Sequence, residues 1–197
     1  MKKKLILMVC SLLMLALVAG CGNNGAENGE ADQTTPPETA KVVVGATAKP
    51  HAEILEVVKP LLAEENIDLE IKVFTDYVQL NPALSDGQID ANFFQHIPYL
   101  DDYNENNKSD LVWAVKVHNE PMGVYSKKIT NLDELTAGAK VGIPNDATNG
   151  GRALMVLESA GLITLKEGVG VKAIDKDIVD NPKNREIVMM DAAMLPR

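Results

Sequence analysis

From Lys41 onward the chain alternates short β-branched runs with stretches of helical period. "KVVVGAT", Lys41 to Thr47, is an apolar run ending in small residues, the pattern of a buried strand. In "HAEILEVVKPLLAEEN" the residues Ile54, Leu55, Val58, Leu61 and Leu62 recur at helical spacing. Pro60 inside that pattern is expected to kink or split the helix. "DLEIKVF" alternates as a strand, and "NPALSDGQID" reads as a short helix closed at Gly87. "DANFF" is a third strand, followed by a helix over "IPYLDDYNEN" with Pro98 in its first turn. "LVWAVKVH", Leu111 to His118, is rich in apolar residues and reads as a strand.

The pattern breaks at Asn119-Glu120-Pro121 and then resumes. "MGVYS" and "AKVGIP" read as strands, with a capped turn or two at "NLDELT" between them. "NDATNGGRALMVLESAG" is a loop entering a helix, with Leu154, Val156 and Leu157 facing inward and Gly161 as its stop. "KAIDKDIVDNP" reads as a short helix and "NREIVMMD" as a strand. Strands alternating with helices imply an α/β fold with a mostly parallel sheet. Two such runs meeting near Asn119 suggest two lobes with a cleft between them. The expected division is residues 41–118 for the first lobe and 119–197 for the second.

What precedes Lys41 is of another kind. Residues 1–20 open on three lysines, continue as an apolar run from Leu5 to Val18, and end in small residues before Cys21. That is the pattern of a secretory signal, and the apolar run is short for spanning a membrane. The small residues ahead of Cys21 resemble a bacterial lipobox, in which the cysteine carries the lipid. Residues 21–40 hold no Leu, Ile, Val, Lys, Arg or aromatic residue, and so read as a disordered tether. Its mean span would be about 25 Å at ~5–6 Å × √n. The two cysteines are Cys10 and Cys21, so an exported domain would fold without a disulfide. Without Lys2, Lys3 and Lys4 the formal charge of −9 becomes −12. Such a surface argues against nucleic acid and against electrostatic membrane contact.

Four of the chain's eight aromatic residues lie between Ala91 and Tyr103, around His96. The residues alone leave two readings open. The rings fill a core, or Phe94, His96 and Tyr99 stand at the C-terminal end of a strand, where open α/β sheets bind ligands. "PNDATNGGRAL" is a second candidate. Thr148 or Asn149 is expected to cap a helix there. Gly150 and Gly151 are expected to let a ligand approach, and Arg152 offers a fork for a carboxylate. Tyr77 follows a strand in a loop, and His51 reads as a helix-start histidine. His51, His96 and His118 would build a metal site only by tertiary convergence. No nucleophile elbow, zincin motif, P-loop or dinucleotide fingerprint occurs, which argues against an enzyme.

Together the lipobox, "VVVGAT", "DYVQLNPAL", "DANFFQHIPYL", "NEPMGVYSKKI", "IPNDATNGGRAL" and "DAAMLPR" resemble the NlpA-type lipoprotein family from Lys41 to Arg197. These are methionine-binding components of ABC importers. The resemblance implies a two-lobed type II periplasmic-binding-protein fold and no cofactor. It implies D- or L-methionine as ligand, an ABC permease and its ATPase as partners, and a lipid on Cys21 holding the protein to the outer face of the cytoplasmic membrane, or to the periplasmic side in a two-membrane cell. Carried over by position, Tyr77, Phe94, His96 and Tyr99 would line a thioether pocket. Arg152 would hold the α-carboxylate, with Asn149 nearby. The chain departs from the family pattern at Leu80, Phe93 and Gly150-Gly151. Family members also continue past "AAMLPR", so the fold is expected to be incomplete at the C-terminus, with impaired stability and weak binding. Other readings are a nonfunctional or partial remnant of such a protein, or a metal-binding surface lipoprotein.

Overall fold

The computed structural model describes residues 38–196; the expected signal peptide, most of the expected tether and Cys21 lie outside the described residues. Strand β1 spans Ala40–Thr47 and lies at the centre of a three-stranded sheet. Strand β2, Ile67–Phe74, pairs along its whole length on one side, and β3, Ala91–Phe93, pairs on the other, both parallel to β1. The second half of β1 is buried, as its run of Val, Gly and Ala requires, and Ala46 is fully covered.

Helix α1, Glu53–Glu64, crosses from β1 to β2. It runs through Pro60 as one continuous helix, so Pro60 does not split it. Proline removes the bond to the carbonyl of residue 56. Both Glu56 and Pro60 are exposed, so water can take that carbonyl. Helix α2, Leu80–Ser85, ends before Gly87, which has φ +68°, and buries Leu80 and Ala83. Helix α3, Ile97–Asn107, carries Pro98 in its first turn and buries Leu100.

Strand β4, Lys140–Pro144, pairs in parallel with β7, Glu186–Met190. Helix α4, Ala147–Ser159, follows β4 and buries Ala153, Leu154 and Leu157 against Ile143 and Leu162. Val156 is only partly buried. The helix stops before Gly161, at φ +68°. Strands β5, Thr164–Leu165, and β6, Ile178–Asp180, form a small antiparallel ladder. The short helix expected over Lys172–Pro182 is instead two 3₁₀ turns, Gly170–Lys172 and Asp175–Asp177, and then β6. Each turn is too short to continue, and Asp177 folds its carboxylate back onto the Ile174 amide.

The strands expected over Leu111–His118 and Met122–Ser126 do not occur among the described residues. No described strand pairs with either run. Val112, Val115 and Tyr125 remain 85%, 72% and 88% exposed. Alternating apolar residues permit a strand, but only a ladder partner makes one. The turn at "NLDELT" is present as a 3₁₀ turn, Leu132–Glu134, capped by the Asn131 side chain.

Candidate ligand-binding site

The site begins where the parallel strands end. Beyond β3 the chain passes through Phe94, Gln95 and His96 into α3, whose first turn carries Tyr99. Phe94 and Tyr99 meet nearly edge to face, centroids 5.7 Å apart. Tyr77, from the loop after β2, completes the group at 5.9 Å from Phe94 and 6.4 Å from Tyr99. Aromatic pairs favour such offset and perpendicular contacts. Tyr77 is placed by its neighbour Asp76, whose Oδ1 accepts from the amides of Val78 and Gln79.

The strap from Phe94 to His96 is held from below by amides that motif reading does not single out. Asn81, 1% exposed, donates to Gln95 Oε1 at 2.8 Å. Its own Oδ1 accepts from Asn92 at 2.9 Å and from Gln95 at 2.8 Å. A buried polar network of this kind, with its groups paired, fixes one arrangement of backbone.

A second group of candidate residues lies at the start of α4. Asp146 is its N-cap, where Thr148 or Asn149 was expected. Its Oδ1 accepts from the Asn149 amide at 2.8 Å and from the Thr148 hydroxyl at 3.1 Å. Its Oδ2 accepts from Asn149 Nδ2 at 3.2 Å. The helix start is therefore already supplied with an anion by the chain itself. Asn149, turned this way, accepts from Arg152 Nη1 at 2.9 Å, and Arg152 Nη2 donates to the Glu120 carbonyl at 3.2 Å. A guanidinium has five N–H groups, so these two bonds leave donors for a ligand.

Gly150 and Gly151 do not face a ligand. Both are buried inside α4. A Cβ on Gly151 would come within 1.9 Å of the Val171 carbonyl oxygen, and one on Gly150 within 3.0 Å of that of Pro144. The pair lets α4 lie directly on the backbone of β4's end and of the Gly170–Lys172 turn.

Tyr77, Phe94, His96 and Tyr99 line one hollow of about 2200 Å³, and Asn149 and Arg152 line it too. Small-molecule pockets usually measure ~300–1,000 Å³, so an amino acid would occupy only part of it. Burial lowers the His96 pKa, and the Arg152 charge lowers it further. Its Nε2 is buried without a partner. Burial, with Asp146 next in effect, pushes Tyr99 up to about 12. Tyr77 is raised by burial and by Glu120. The site thus holds neutral rings and a neutral imidazole beside one guanidinium.

The family model for NlpA lipoprotein matches residues 42–197. The chain belongs to the NlpA lipoprotein family. Among its relatives, the methionine-binding lipoprotein MetQ of Bacillus subtilis is 46% identical over 187 residues, 93% of this chain and 65% of that protein. The D-methionine-binding lipoprotein MetQ of Salmonella typhimurium is 42% identical over 197 residues, 100% of this chain and 69% of that protein. A nutrient-binding protein from Burkholderia cenocepacia, solved with methionine bound, superposes with a TM-score of 0.76 at 43% identity, over 79% of this chain and 66% of that one. The α/β fold is therefore that of the NlpA binding proteins. The chain spans about two thirds of the length of these relatives.

Within this NlpA-family fold, sequence motifs located the rings and Arg152 but not Asp146 or Glu120, which hold the arginine's surroundings in place. Asp146 sits one residue before the helix start at Ala147, ahead of the cap expected at Thr148 or Asn149, and an Asp at that position is a capping signal. Glu120 acts through its backbone carbonyl, and no residue type signals that.

Proposed function

We propose that this chain is the substrate-binding part of a methionine ABC importer, tethered by lipid on Cys21 to the outer face of the cytoplasmic membrane. It would work as two lobes, residues 41–118 and 119–197, that close on one amino acid and then dock on the permease and its ATPase. The observation that carries the reading is that the Tyr77–Phe94–Tyr99 ring cluster and Arg152 line one hollow. Relatives named for methionine or D-methionine binding, at 46% and 42% identity, support it.

The rings would take the thioether. Sulfur–aromatic contacts give ~0.3–1.5 kcal/mol each, and burying the side chain gives about 1.5–3 kcal/mol. Arg152, oriented by Asn149, would pair with the α-carboxylate for about 1.5–3 kcal/mol. His96 Nε2 would gain a polar partner from the ligand. With the rings on the first lobe and the guanidinium on the second, a bound amino acid would favour the arrangement in which the two lobes approach. No bond in the ligand is made or broken.

Equilibrium dialysis of the 197-residue chain against labelled methionine, with unlabelled D-methionine, L-methionine, leucine or glutamate as competitors, tests this. The reading expects displacement by one or both methionines and far less by leucine or glutamate. Equal displacement by all four, or no retention of label, contradicts it.

A further inference from the structure

Apart from the ring cluster, three potential metal ligands from two distant stretches of chain converge. His51 comes from the turn after β1, and His118 and Glu120 from the extended run before Pro121. Their ligand atoms lie within 4.8 Å of one another. Glu120 Oε1 is 2.7 Å from His118 Nε2 and 3.4 Å from His51 Nε2. The two imidazoles stand 5.5 Å apart, and Phe93 packs edge-on against both.

We propose that His51, His118 and Glu120 form a site for a divalent transition metal of the zinc class. Two imidazoles and a carboxylate are a donor set that such ions accept, with metal–ligand bonds of ~2.0–2.2 Å. Tetrahedral ligands at that range stand a little over 3 Å from one another; the 3.4 Å His51–Glu120 spacing matches this, and the 2.7 Å His118–Glu120 contact would have to open on binding. His51 is 5% exposed, and its Nδ1 lies 2.6 Å from the Thr47 hydroxyl. That bond fixes the ring and leaves Nε2 to turn toward the other two, the arrangement metal-binding histidines use. His118 and Glu120 are partly exposed, which leaves a route in and a fourth position open. All three residues line the same hollow as the rings.

An ion here would bind the start of α1 to the Asn119–Pro121 stretch. Glu120 is also the residue whose carbonyl accepts from Arg152. A bound ion would therefore steady the partner of the arginine that faces the hollow.

The test uses the 197-residue chain with Cys10→Ser and Cys21→Ser, which removes thiol ligands, titrated with Zn²⁺ by calorimetry. The expected result is one Zn²⁺ per chain. His118→Ala and Glu120→Ala should each weaken it at least ~10-fold, the low end of what losing an outer-shell partner costs. Thr47→Val should weaken it by a smaller factor. His96→Ala should leave it unchanged, since that ring is not among the ligands. Circular dichroism melts check that each variant folds, and His118→Ala, on the exposed side, carries the test if His51→Ala does not. Absence of Zn²⁺ binding overturns the proposal. So does binding that persists at full strength in both His118→Ala and Glu120→Ala.

Discussion

Arg152 donates from Nη1 to Asn149 Oδ1, 2.9 Å away and one helical turn earlier. The arginine is thus aimed by its own helix, and the aim depends on Asp146, which holds the Asn149 amide and side chain. A ligand carboxylate bound by Arg152, as proposed, would meet a guanidinium already fixed on one side, so little side-chain freedom would be lost on binding.

Asp146→Ala should lower stability by about 0.5–2 kcal/mol, the usual effect of losing an N-cap. It should also weaken methionine binding, because Asn149 is no longer held. Asp146→Asn keeps an accepting oxygen and should retain most of both. Denaturant melts and dialysis on the two variants check this. An Asp146→Ala protein as stable as the parent would contradict the capping role.

Gly151→Ala should destabilise the protein by about 1–3 kcal/mol, although alanine is ordinarily the better helix residue. The 1.9 Å approach of the new Cβ is to the backbone oxygen of Val171, which no rotamer change can move. Gly150→Ala meets its nearest atom at 3.0 Å and should cost less. Thermal melts that rank the two variants the other way would show that α4 does not sit so close to the Gly170–Lys172 turn.

Stability should fall as the solution is acidified. His51 and His96 both have pKa values lowered chiefly by burial. A histidine whose folded pKa is depressed favours the folded state above its unfolded value of about 6.5 and loses that contribution as pH falls through the folded value. The unfolding free energy should therefore decline below about pH 6.5, and His96→Asn should flatten part of the slope. A slope unchanged by that substitution would mean that His96 is not desolvated.

The legible parts of the fold were those where local pattern and tertiary need agree. β1 shows its burial in four consecutive apolar or small residues, and α3 shows its start in Pro98. Gly161 marks the end of α4. Pro60 does not split α1 because its neighbours are exposed, and a surface helix tolerates the missing bond. Leu111–His118 misled because strand character requires a partner, which a run of residues does not reveal. At the site, ring enrichment and Arg152 were visible as residue types. The Asn81–Asn92–Gln95 network was not, since three amides separated along the chain have no common spacing. The convergence of His51 with His118 was foreseen only as something tertiary structure would have to supply.

The central claim is that one ligand's thioether lies against Tyr77, Phe94 and Tyr99 while its carboxylate lies on Arg152. Saturation-transfer NMR on methionine in excess over the 197-residue chain tests it most directly, because it reports which ligand protons lie against the protein. The account predicts strongest transfer to the S-methyl and adjacent methylene protons, and loss of transfer in both Arg152→Ala and Tyr99→Ala. Transfer that is even along the ligand, or that survives in both variants, would contradict it.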